Sequence, residues 1–103
     1  MRTINFTYKN VDYTLGYTLA SIEQMEQSGF LIRELGDKTA TRAKELFYGA
    51  FIAHHRGIKR KLVDEIYTNL ADKEKLILAL AELYNEAGEA LIEEGNVGWT
   101  MSE

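Results

Sequence analysis

The 103-residue chain has no cysteine, no proline and only two histidines, and its 12 basic side chains are outnumbered by 16 acidic ones. Without cysteine there is no disulfide scaffold and no thiol chemistry. Average usage would place about five prolines in this length, so their absence predicts long uninterrupted helices. The net charge of −4 argues against non-specific binding to a nucleic-acid backbone, which needs a basic surface. The first ten residues contain no apolar run of signal-peptide length. The longest uncharged apolar stretch, Leu46 to Ala53, falls far short of the ~20 residues that span a bilayer. These absences predict a protein that stays in the cytoplasm and has no membrane contact.

What is present is an ordinary globular composition, 46% hydrophobic and 27% charged, in a length that suits a single domain. The charge is unevenly placed. Residues 1–37 carry three basic and five acidic groups, residues 38–61 seven and one, and residues 62–103 two and ten. The chain therefore has a +6 middle and a −8 end. Such a separation can close up within one molecule, join copies head to tail, or attract a charged partner.

The first seventeen residues alternate in polarity. Ile4, Phe6 and Tyr8 share one face, and Val11, Tyr13, Leu15 and Tyr17 resume the pattern. A two-residue loop at Lys9-Asn10 pairs Tyr8 with Val11, Phe6 with Tyr13 and Ile4 with Leu15. Every large apolar residue then lies on one face of a β-hairpin. A lone hairpin is only marginally stable, so this aromatic face must rest on another element.

From Thr18 the period lengthens. Ser21-Ile-Glu-Gln24 reads as a capping box for a short helix marked by Leu19, Ile22 and Met25 and closed by Gly29. An apolar connector, Phe30 to Leu35, leads to a second helix predicted over Thr39–His55, with Ala43, Leu46, Phe47, Ala50 and Phe51 inward. Its middle is apolar nearly all round, which marks a buried central helix. Gly49 costs about 1 kcal/mol there relative to alanine, so a neighbouring element is expected to approach closely. Arg56-Gly57 ends it. Leu62, Val63, Ile66, Tyr67 and Leu70 predict a third helix. Asp72 is the expected N-cap of a fourth, lined by Leu76, Ile77, Leu80, Leu83, Tyr84, Ala87 and Leu91 and ended by Gly95-Asn96. The predicted fold is mainly α (α+β): a hairpin over 1–17, four helices over 19–95, one domain over 1–96, and a short tail over 97–103 holding Trp99.

No catalytic or metal constellation stands out. His54 and His55 point about 100° apart on a helix and read as imidazoles favourable to a helix C-terminus. The glycines match neither a phosphate loop nor a dinucleotide fingerprint. The expectation is a non-enzyme with no catalytic residue, cofactor or metal. Three features remain as partner-binding candidates. Arg56, Lys59, Arg60 and Lys61 place four cations at the start of the third helix, where the dipole disfavours them. Glu82, Glu86, Glu89 and Glu93 form one acidic stripe on the fourth helix. Trp99 either folds back on the core or serves as a docking residue.

The order of elements resembles the tail assembly chaperones of long-tailed bacteriophages and prophages. Tyr13–Glu26, Glu45–His55 and Arg56–Ile66 carry the likeness as patterns of residue class. The chain departs from that family where Gly57 and Lys59 replace a frequent proline and threonine cap. The resemblance implies a non-enzymatic protein of the bacterial host cytoplasm. It would bind the tape measure protein and recruit tail tube protein, with self-association among copies as a further expectation. A head–tail connector subunit is an alternative. Another is a small nucleic-acid-associated regulator, with a helix-turn-helix-like pair around Gly57.

Overall fold

The alternating start folds as the pairing pattern requires. Strands β1 (Ile4–Tyr8) and β2 (Val11–Leu15) form an antiparallel hairpin with Tyr8 opposite Val11, Phe6 opposite Tyr13 and Ile4 opposite Leu15. The structure, a computed structural model, describes residues 2–89 and 95–102. Lys9 and Asn10 both sit in the left-handed region, at φ 48° and 66°, as the tight type I′ turns of right-twisted hairpins require. The hairpin's inner face deepens away from the turn: Val11 is exposed, Tyr13 buried and Leu15 fully enclosed.

The N-cap of helix α1 (Leu19–Gln27) lies three residues before the predicted cap, Ser21. Thr18 is the N-cap: its hydroxyl accepts from the Ser21 amide at 3.1 Å, and the Ser21 hydroxyl accepts from the Thr18 amide at 2.9 Å. Thr18 has the extended backbone that a cap adopts. The buried Ser21 fills the position usually given to Glu or Gln, which leaves no unsatisfied hydroxyl in the core. The C-terminus closes on Gly29 at φ 97°. The Gly29 amide donates to the Glu26 carbonyl and the Phe30 amide to the Met25 carbonyl, a Schellman arrangement that seats Phe30 against the core.

A short 3-10 turn, Ile32–Glu34, leads into α2 (Thr39–Gly49). This helix packs against α1, α3 (Arg60–Asn69) and α4 (Lys73–Glu89), so the apolar middle segment is central as expected. It does not run to His55. Beyond Gly49 the chain continues in tight turns to Gly57, and the physical reason is the free edge of β2. The Ala50 carbonyl accepts from the Gly16 amide at 3.1 Å, and the His55 Nε2 accepts from the Thr14 amide at 2.9 Å. The carbonyl that would continue the helix is thus used to dock the hairpin. His55 packs on Tyr13 and Phe51, with ring centroids 5.2 and 6.0 Å apart. It is a hairpin anchor, which corrects its reading as a helix-terminal imidazole.

The hairpin's aromatic face rests on this same segment. Phe6 stacks on Tyr13, both meet Phe51 edge-on, and Phe47 carries the contact on to Tyr67 in α3. On the other side of α2, Tyr17 and Phe30 meet Tyr84 of α4. Tyr17 is almost wholly enclosed and donates its hydroxyl to the Leu46 carbonyl at 2.7 Å. Burial pushes its phenol well above the usual tyrosine value, so it remains a fixed donor.

Asp72 stands at the predicted head of α4, and its carbonyl accepts from the Leu76 amide. Its φ of 50° is left-handed, however, and among the described residues no amide donates to its carboxylate. Lys73 instead ties the junction, donating to the Thr68 and Leu70 carbonyls at 3.2 and 2.9 Å. That places a cation at the negative end of α3. Leu91 lies outside the described residues, and Gly95-Asn96, the predicted end of this helix, is non-helical.

Candidate partner-binding surface

The four clustered cations gather at the corner between α2 and α3. Gly57, at φ 78°, turns the chain, Arg56 precedes it, and Lys59 takes the N-cap position of α3 without a side-chain cap. Arg60 is held: its guanidinium lies 4.6 Å from the Tyr48 ring centroid and its Nε 3.6 Å from Asp64. These contacts offset its unfavourable place at the positive end of a helix. Arg56, Lys59 and Lys61 form no ion pair among the described residues.

The acidic stripe is met from elsewhere. Arg2 reaches both Glu82 and Glu86 at 3.3 Å, from the other end of the chain, and Glu89 is exposed. Glu93 lies outside the described residues. The +6 and −8 segments therefore do not close on each other: among the described residues only Arg60–Asp64 joins them. Arg42 is instead taken up by Glu34 at 2.7 Å and Glu45 at 2.8 Å, and Lys9 pairs with Glu65. The Arg42 guanidinium holds the Glu34 carboxyl below its usual range, and the Tyr8 hydroxyl and Lys9 do the same for Glu65.

Trp99 does not fold back on the core. It is 82% exposed, and Val97 and Met101 on either side are 91% and 80% exposed. Three large apolar side chains thus stand at alternate positions in solvent. An extended segment projects such residues from one face.

Two openings, a two-part groove and a separate hollow, went unmarked by sequence reasoning. A groove runs between α1, α2 and the basic corner, as two adjoining hollows of about 290 and 280 Å³ that share Gln24, Tyr48 and Ile52. Met25, Phe30 and Gly49 form its floor at one end, and Arg56 and Arg60 stand on its rim. The close approach expected at Gly49 comes from Met25 of α1: a Cβ on Gly49 would fall 2.4 Å from the Met25 sulfur. Gly49 was therefore the one sequence signal pointing to this groove. The separate hollow, about 350 Å³ and almost wholly apolar, opens among Leu35, Ala43, Tyr67, Ile77 and Leu78. Leu78 was absent from the predicted core and is 66% exposed.

Among the described residues, no three His, Asp or Glu side chains converge as a metal site, and no helix is long and apolar enough to cross a membrane. A family model described as a domain of unknown function (DUF5055) matches residues 1–102. No curated protein and no solved structure matches the chain.

Proposed function

The chain belongs to the DUF5055 family, and we propose that it is a non-enzymatic assembly factor which shields apolar helices of a larger partner. In its specific form this is a phage tail assembly chaperone that holds the tape measure protein and recruits tail tube subunits in the host cytoplasm. The observation that carries the reading is the open apolar hollow beside α4, with Leu78 two-thirds exposed at its lip. An amphipathic helix laid there would bury its apolar face by the helix-in-groove mode. The chain's net charge of −4 favours the solubility of such a complex. The order of a hairpin followed by helices, which resembles that of tail assembly chaperones, supports the specific form.

Co-expression with a phage tape measure protein tests the proposal. The expected result is a soluble complex that Leu78→Glu abolishes while the variant itself stays folded. A tape measure protein equally insoluble with and without this chain would sink the idea. Recovery of the chain from finished particles would move it to a connector role.

A further inference from the structure

We propose that the segment Val97–Met101 of one copy docks into the groove between α1, α2 and the basic corner of a second copy, joining copies head to tail. This stands apart from the helix-shielding role, which uses the opposite hollow beside α4. Two complementary features lie on the surface of one molecule. The groove has an apolar floor at Met25, Phe30, Gly49 and Ile52 and a cationic rim at Arg56 and Arg60. Its one lining carboxylate, Glu45, is already bound by Arg42 at 2.8 Å. The terminal segment offers the reverse. Residues 93–103 contain Glu93, Glu94 and Glu103, no basic residue, and the exposed Val97, Trp99 and Met101.

The charge match is what selects the occupant. A rim of arginines beside an apolar floor favours an acidic strand that carries aromatic and aliphatic anchors. Gly95 and Gly98 let the strand adapt closely to a surface. The segment also stands clear of its own body. The radius of gyration, 15.7 Å, exceeds the roughly 13 Å of a compact 100-residue domain. Because groove and segment are different patches, the contact is heterologous: each pair leaves one groove and one segment free. Association is then an open series instead of a closed dimer, and salt weakens it through the arginine rim.

Sedimentation of the full chain across micromolar to submillimolar concentrations tests this, with Trp99→Ala and Arg56→Glu as variants. Arg56 and Trp99 make no described internal ion pair or core contact, so both variants should keep the wild-type thermal midpoint. The wild-type mass is expected to rise past that of a dimer, and to fall back at high salt. Loss of a central tryptophan anchor should weaken association about 30-fold. Mixing the two variants should restore one-to-one complexes, because one retains the groove and the other the segment. A chain that stays monomeric throughout overturns the proposal. So does association indifferent to Trp99→Ala, or a concentration-independent burial of Trp99, which would mean docking within one copy.

Discussion

Gly49→Ala puts the packing logic at the centre of the molecule to a direct test. Two effects oppose each other there. Alanine near the end of α2 should favour the helix by at most about 1 kcal/mol over glycine. The new methyl would meet the Met25 side chain, with its sulfur and Cε both at 2.4 Å and its Cγ at 3.0 Å. Met25 is buried and must shift, and overpacking of a core typically costs about 1–3 kcal/mol. The adjoining groove, which Met25 lines, gives it room. The net expectation is a loss of about 1 kcal/mol, or roughly 4–8 °C in thermal midpoint for a domain of this size. In a Met25→Ala background the obstacle is gone and the sign should reverse, to a gain of up to about 1 kcal/mol from helix propensity alone. Urea denaturation of the four proteins of this cycle, followed by circular dichroism, reads the coupling directly. Equal effects of Gly49→Ala in both backgrounds would refute the close-approach argument, as would stabilisation in the wild-type background. A displaced Met25 should also narrow the groove and weaken association of copies.

Tyr17→Phe removes the hydroxyl donated to the Leu46 carbonyl, which also accepts from the Ala50 amide. The expected loss is about 1 kcal/mol in urea denaturation, as for an ordinary hydrogen bond, and a neutral result would show that the bond contributes nothing net. His55→Ala orphans the Thr14 amide and should cost about 1–3 kcal/mol. Hydrogen exchange at Thr14 checks this: the amide should lose protection, and unchanged exchange would mean that β2 is not held by His55. Glu34 has a folded-state pKa below its ordinary value, chiefly because of Arg42. Its stabilisation is therefore complete above the unfolded value of about 4.3 and fades as pH falls through the lower folded value. Glu34→Gln should flatten the acid limb of the stability profile below about pH 4.3, and an identical limb in both proteins would contradict this.

Local chemistry settled the elements whose instructions are short-range. Alternation over Ile4–Leu15 and the left-handed tolerance of Asn10 are enough to specify the hairpin and its register. The 3-4 spacing from Leu62 to Leu70 and from Leu76 to Tyr84 specifies the faces of α3 and α4, and Gly29 specifies the end of α1. Burial of Ala43, Leu46, Phe47, Ala50 and Phe51 follows from the apolar spacing that begins in α2 and continues past Gly49.

The tertiary structure decided whatever depends on a partner distant in the sequence. Helical periodicity continues past Gly49, but the Ala50 carbonyl is claimed by Gly16 and the His55 ring by Thr14, and no local pattern reports such a long-range bond. The cap moved to Thr18 because a buried serine needed a partner. Segment charges predicted opposition between the middle and the end, yet side-chain reach gave Glu82 and Glu86 to Arg2 and Arg42 to Glu34 and Glu45. The groove exists only because α1 passes close to Gly49. Sequence thus determined which residues turn inward, through periodicities that each element carries by itself. Which polar groups meet, and which surfaces stay open to a partner, was decided by packing, which brings together residues that nothing along the chain connects.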